Sequence, residues 1–298
     1  MNINRRHFIQ STAAGSLALS GGSLLAAKKP LFRISLAQWT LVQDLRSGKI
    51  DNLDFAKVTA EHKIEGLEYV NTFFMDKAKD RKYLRQMKQR AADHGVQSLI
   101  VMCDREGNIG DPDDTKRNRT VENHRKWIDA AKFLGCHSIR VNAGSSGTWD
   151  EQVKLAADGL AKLTEHGAAA GLNVIVENHG GLSSNGKWLS TVIKQVGHER
   201  CGTLPDFGNF RISRDGESYD SYRGIAELMP FAKGVSVKDY GYDDKGNRVK
   251  IDFVKMLRIV LKSGFRGFCG IEYGGYKGLD ASRRALEKAR TELASEFK

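Results

Sequence analysis

Short apolar runs recur along the chain, and a longer amphipathic or charged stretch follows each one. The runs are Phe32–Gln38, Gly66–Val70, Gln97–Cys103, His137–Asn142, Leu172–Glu177, Cys201–Asp206, Lys233–Lys238 and Phe268–Glu272. Their length and apolar character predict strands. The stretches between them have helical spacing: Leu53–His62, Lys77–His94, Thr115–Leu134, Asp150–Ala170, Lys187–Val196, a segment ending near Pro230, Asp252–Lys262 and Asp280–Phe297. Gly95, Gly135, Gly171 and Gly264 fall where helices end, a place that favours left-handed backbone. Asp51 or Asn52 is a plausible cap for the first helix. Asp104–Asp114 reads as a polar loop and Asp243–Gly246 as a turn leading to a helix. Pro205, having no backbone N–H, should end the sixth strand.

Strands that alternate with helices pair in parallel through right-handed crossovers. Eight such units in roughly 265 residues fit a closed (β/α)8 barrel, an α/β fold for which about 250 residues is typical. A doubly wound open sheet is the alternative. The dinucleotide-binding version lacks support, because no Gly-x-Gly-x-x-Gly follows the first strand. No linker or low-complexity tract interrupts the pattern, so 28–298 reads as one domain.

Residues 1–27 stand apart. Asn4-Arg5-Arg6-His7-Phe8 precedes an apolar, Ser/Gly/Ala-rich run to Ala27, the layout of a secretory signal. The paired arginines resemble a twin-arginine export signal, which implies transport of a folded protein to the periplasm. The run is too short and too rich in Gly and Ser for a membrane span. Leu25-Ala26-Ala27 lacks a small residue at its first position, which leaves signal cleavage or an uncleaved anchor open; cleavage would leave no stable membrane association.

The formal charge of the chain is +11, and removing Arg5 and Arg6 leaves +9. Such a balance suits anionic partners, acidic sugars among them. No dense basic block or interleaved aromatic run appears, so the charge reads as solvated helix faces rather than a nucleic-acid surface. Cys103, Cys136, Cys201 and Cys269 show no CxxC spacing and lie in or beside apolar runs. They are expected to be buried free thiols.

Chemistry gathers at the strand ends. Glu177, Asp206 and Glu272 close the fifth, sixth and eighth strands, and a carboxylate at such a tip must be paired, hydrogen-bonded or bound to a metal. In a parallel barrel these tips carry the active site. Converging carboxylates suit one divalent cation, with an imidazole as an occasional companion. His179 lies two residues after Glu177 and shares its side if extended geometry persists; it is a candidate fourth ligand or acid. Gln38, Glu68, Asn142 and Lys238 are expected at the mouth as sugar-binding groups. Trp39, Tyr69, Phe74 or Trp149 offers an apolar platform. Lys238 shares a face with Ser236 and can steady an enolate oxygen or bridge to Glu272 or Asp206.

The runs Val176-Glu177-Asn178, Pro205-Asp206-Phe207-Gly208-Asn209, Val237-Lys238-Asp239 and Ile271-Glu272, in this order, resemble the xylose isomerase-like TIM barrel superfamily in its sugar phosphate isomerase/epimerase branch. The resemblance spans essentially all of 31–298. It implies one divalent metal ion, often manganese, with magnesium, cobalt or zinc as alternatives. It also implies Glu177, Asp206 and Glu272 as ligands, with Glu177 and Glu272 as acid/base groups. The family commonly carries a histidine ligand where this chain has Ser236, and often a substrate-binding histidine where it has Asn209.

The resulting expectation is an enzyme acting on a small sugar or keto-sugar: an isomerase/epimerase that abstracts a proton next to a carbonyl, or a keto-sugar lyase or dehydratase, for example on 3-keto-glycosides, using the same site. A nuclease related to apurinic-site endonucleases would need histidines at strand ends that here hold Glu68, Cys103 and Asn142. A sugar-binding barrel without turnover is the remaining class. Replacing Arg5 and Arg6 together with lysine is expected to hold the protein in the cytoplasm. Cell fractionation reads the result, and an undiminished periplasmic yield would contradict the export signal.

Overall fold

The computed structural model describes residues 29–297, so the export signal expected at 1–27 lies outside the described residues. From Leu31 onward the chain is one compact unit. Its strands are β1 Arg33–Ala37, β2 Gly66–Val70, β3 Gln97–Met102, β4 Ser138–Val141, β5 Asn173–Glu177, β6 Cys201–Leu204, β7 Val235–Val237, β8 Tyr240–Tyr242, β9 Arg248–Lys250 and β10 Phe268–Ile271. The helices are α1 Val42–Arg46, α2 Phe55–Glu61, α3 Arg81–Asp93, α4 Asp114–Leu134, α5 Trp149–Ala170, α6 Gly186–Val196, α7 Ser221–Leu228, α8 Phe253–Lys262 and α9 Gly275–Leu293.

Eight strands form one sheet in the order β6-β5-β4-β3-β2-β1-β10-β7, with every neighbouring pair parallel. The ring closes between β6 and β7, through bridges at Thr203–Ala232 and Asp206–Ser236 rather than a continuous ladder. Lys233 N donates to Thr203 O, Ser236 N to Pro205 O and Phe207 N to Ser236 O. Pro205 has no N–H to give, and β6 stops just before it. The fold is therefore a nearly closed TIM barrel, as the alternating pattern implies.

Alternation along the strands sorts the side chains into two cores. The outer faces and the surrounding helices enclose the large apolar core, with Trp127, Trp188, Phe55 and Phe207 fully buried. Inside the barrel a smaller group, including Ala37, Val70, Ile100, Met102, Ile175 and Leu204, packs at the centre. The same inner register carries Ser35, Glu68, Arg140, Glu177, Ser236 and Lys238, all buried. A barrel interior this polar is costly unless its groups satisfy one another.

Helix ends follow local chemistry. Asp113 accepts from Thr115 N and Lys116 N at the start of α4, and Thr148 with Glu151 forms a capping box on α5. Three boundaries depart from expectation. Asp80 caps the third helix, so it begins at Arg81 and not Lys77. The last helix begins at Gly275, five residues before Asp280. The Asp243–Gly246 turn is the tip of the antiparallel hairpin β8–β9 and does not lead directly into a helix. All four cysteines are free and buried. No helix among the described residues is long and apolar enough to cross a membrane.

Helix α5 lies against the 104–113 loop at Gly159, where an added Cβ would meet the Ile109 carbonyl oxygen at 1.9 Å. Alanine is the better helix former by about 1 kcal/mol, but overpacking against backbone costs more. Gly159→Ala is expected to destabilise the fold by about 2 kcal/mol net, read as a lower urea midpoint. An unchanged or raised midpoint would mean the loop yields freely.

Candidate active site

Glu177 is the last residue of β5, Asp206 lies two residues past β6 and Glu272 follows β10. One carboxylate oxygen from each lies within 4.8 Å of the others. Glu177 is 1% and Asp206 0% exposed. Three like charges this close in a dry interior repel strongly, and the surrounding groups are arranged to offset this. Lys238 Nζ stands 2.9 Å from Asp206 Oδ2 and 3.0 Å from Glu272 Oε1. Ser236 Oγ lies 2.8 Å from Asp206 Oδ2 and 2.7 Å from Glu272 Oε2, with one proton to donate between the two. Asp206 Oδ1 accepts from the N–H groups of Gly208 and Asn209.

Glu177 is held differently. Asn209 Nδ2 donates to its Oε1 at 2.9 Å. Arg140 Nε is 2.9 Å from its Oε2, an ion pair by distance whose angle falls short of a hydrogen bond, so both atoms stay buried without a hydrogen-bond partner. Arg140 also donates from Nη1 to Asp104 Oδ1 at 2.8 Å, and Asn142 donates to that same oxygen. Burial pushes the Glu177 carboxyl well above the usual carboxylate range, and Arg140 offsets only part of this. Burial works against the charged forms of Lys238 and Arg140 as well, but the facing carboxylates outweigh it and both stay protonated.

The acids expected at three tips thus come together, and Lys238 makes the bridge to Asp206 and Glu272 that its position allowed; the Arg140 partner of Glu177 was not anticipated. His179 does not join the cluster. The extended geometry that would align it with Glu177 ends at Asn178, whose side chain is tied to the Asp206 and Asn209 carbonyls. Gly180 and Gly181 then take positive φ. His179 stands exposed at the mouth, and partial desolvation together with Arg140 pushes its imidazole below the ordinary range.

Gln38 is not at the mouth. It is fully buried, accepts from Val70 N and donates to Asn52, and so ties β2 to the loop before α2. Glu68 lies inside the barrel at 1% exposure. Tyr69 and Phe74 are core residues at 2% exposure, and Trp149 is on the surface at the start of α5. Trp39 alone of the expected aromatic platforms lines the mouth.

Two cavities meet at His179. One, about 190 Å³, is lined by Trp39, Arg46, Thr72, Asp104, Arg105, Arg140, His179 and Glu272. The other, about 380 Å³, is lined by His179, Gly180, Ser184, Gly208, Asn209, Arg211, Tyr240 and Tyr242. Arg140 and Asp104 went unremarked in the sequence. The available signal was an arginine between Ile139 and Val141 on an inward-facing strand position, where a cation needs a buried carboxylate.

The family model for the xylose isomerase-like TIM barrel matches residues 56–294. The chain belongs to this family. A sequence search of curated proteins gives no significant match. Among solved structures the family barrel is similar to a xylose isomerase-like TIM barrel protein from Mycobacterium smegmatis in complex with magnesium, at 17% identity and TM-score 0.65, covering 90% of this chain and 98% of that one. It is also similar to the E. coli 3-keto-D-glucoside 4-epimerase, at 15% identity and TM-score 0.66, covering 87% and 99%. A third is the D-psicose 3-epimerase from Clostridium cellulolyticum H10 with D-tagatose, at 14% identity and TM-score 0.67, covering 88% and 99%. At such identities the likeness carries the fold.

Within the family barrel, Glu68 is a further buried acid on the inner face, apart from the cluster of three. Ser35 Oγ donates to its Oε1 at 2.6 Å, and its Oε2 has no partner. Burial pushes its carboxyl up to about 7 from an ordinary 4.5. Below 4.5 both folded and unfolded forms carry the proton. Between 4.5 and 7 only the folded form keeps it, so stability falls as pH rises, and above 7 the full penalty stands. The gap corresponds to about 3 kcal/mol. Glu68→Gln is expected to flatten this fall between pH 5 and 7.5 in urea unfolding; an unaltered slope would assign it to another group.

Proposed function

We propose that the protein is a divalent-metal-dependent sugar isomerase or epimerase that removes a proton next to a carbonyl. The convergence of Glu177, Asp206 and Glu272 within 4.8 Å at the barrel's C-terminal face carries this reading. The donor set fits a hard divalent cation: three carboxylate oxygens, with Glu177 Oε2 buried and lacking a hydrogen bond. Those three residues would hold the ion, and Ser236 offers a hydroxyl where the resemblance expects an imidazole. When bound, such an ion supplies Lewis-acid stabilisation of an enediolate oxygen.

The chain's own residues do the rest. Glu177, whose carboxyl burial makes more basic than usual, and Glu272 are the proton-moving groups, set on strands apart around the ring so that they approach one carbon from two sides. Lys238, protonated and held between Asp206 and Glu272, presents positive charge to an oxygen that becomes anionic. Asn209 fixes the Glu177 carboxylate through Oε1. Trp39 offers a sugar face an apolar surface at the mouth. The solved 3-keto-D-glucoside 4-epimerase and D-psicose 3-epimerase on this fold support a keto-sugar substrate.

A keto-sugar lyase is the second reading, and the position of His179 favours it. The ring is outside the acid cluster and opens toward the second cavity of about 380 Å³. A leaving group seated there would find a proton donor once His179 is protonated. Localisation outside the cytoplasm, from the Arg5-Arg6 signal, belongs to the same proposal.

Incubation with ketoses and 3-keto-glycosides in deuterium oxide tests both readings. Deuterium at the carbon next to the carbonyl is expected, and an unsaturated product would select the lyase. Glu272→Gln should abolish exchange and lower bound metal by elemental analysis while the barrel still folds, with a lower melting temperature because Lys238 loses a charged partner. Turnover by hydride shift without deuterium entry would overturn the proton-abstraction mechanism.

A further inference from the structure

The cavity above Glu272 has two kinds of cation. Arg140 is already committed to Asp104 and Glu177. Arg46 and Arg105, lining the same cavity of about 190 Å³, form no ion pair or hydrogen bond with other described side chains or backbone groups. The guanidinium of Arg46 lies 5.1 Å from the centre of the Trp39 ring, a stacking arrangement that restricts it without neutralising it. Thr72, on the same wall, likewise has no side-chain hydrogen bond among the described residues.

Arg105 is held there against its own backbone preference. Its φ is +62°, one of two positive values at non-glycine residues among those described. Such a conformation costs on the order of 1 kcal/mol outside glycine and is kept when neighbours impose it. The neighbours are identifiable. Asn71 Oδ1 accepts from Asp104 N, and Asn71 Nδ2 donates to Asp104 O. The Asp104 side chain is gripped by Arg140 and Asn142. The residue preceding Arg105 is therefore clamped at backbone and side chain alike, and the chain turns sharply into the cavity wall.

We propose that this wall recognises an anionic substituent on the substrate, a carboxylate or a phosphate ester, with Arg46 and Arg105 as its ligands and Thr72 as an added hydroxyl. The inference rests on the reading that sugars enter by this mouth and deepens it: the substrate class is an acidic sugar. A neutral sugar would leave two guanidinium groups lining one small cavity without an anionic partner. An anion supplies that partner through charge-assisted hydrogen bonds. Glu272 lines the same cavity as the two arginines, so a sugar bound there would turn its charged substituent to the arginines and its carbonyl end to the acid cluster.

Calorimetric titration with D-glucuronate, D-glucose 6-phosphate and D-glucose tests the proposal by binding alone, so it stands or falls apart from any turnover. At least one acidic sugar is expected to bind about tenfold or more tightly than glucose, with the preference shrinking as salt is raised. Preference for glucuronate assigns the wall to carboxylates, and preference for the phosphate ester assigns it to phosphates. Arg46→Gln and Arg105→Gln should each remove most of the preference while keeping the wild-type melting temperature, since both side chains are exposed. Arg105→Gly should lose it equally while relieving the backbone strain, which separates charge from conformation. Equal or undetectable binding of all three sugars, or a preference that survives both glutamine variants, overturns the proposal.

Discussion

Mutual repulsion of three buried carboxylates is the constraint around which the upper barrel is built. A parallel barrel brings its strand tips to one rim, and Glu177, Asp206 and Glu272 on three tips meet within 4.8 Å. Nothing in the apolar inner core can offset that repulsion. The chain meets it with groups fixed to neighbouring strands: Lys238 between two acids, Ser236 beneath them, Arg140 beside the third. Each of these is buried, and each would itself be costly without the acids. The polar groups of the interior therefore form a set in which no member is stable alone.

That interdependence reaches outward through Arg140. Its second partner, Asp104, is tied to Asn71 and Asn142, so the loops after β2, β3 and β4 are organised around one guanidinium. The mouth residues Arg105 and Thr72 lie next to these clamps. Shape at the entrance and charge at the base are thus coupled through a single side chain.

The sequence made much of this legible, for reasons that differ by element. Parallel strands buried on both faces read as apolar runs, so the eight barrel strands and the acids at their tips stand out. The β8–β9 hairpin did not, because Tyr240-Gly241-Tyr242 has no apolar run and its turn resembles a loop. The start of α9 was hidden by Gly274 and Gly275, which suggest a turn yet take positive φ at the helix entrance. Gln38 looked like a mouth residue because it follows a strand, but a short 3-10 turn at Gln38–Leu41 carries it under cover. His179 was placed on the side of Glu177 on condition that the backbone stays extended, and β5 ends at Glu177. Arg140 is the harder lesson. A strand position can be read as inward-facing, but which distant carboxylate it meets depends on barrel closure.

The β6–β7 junction gives the arrangement a mechanical side. The ring closes there through isolated bridges, one of which joins Asp206 to Ser236. The same two residues stand in the acid cluster. The weakest stitch of the cylinder and its acid cluster are one place, and a ligand gripping Asp206 would act as a clasp on the whole hoop. By mass action such a ligand would stabilise the folded cylinder at its own seam, so affinity at this site and the strength of the closure are one quantity.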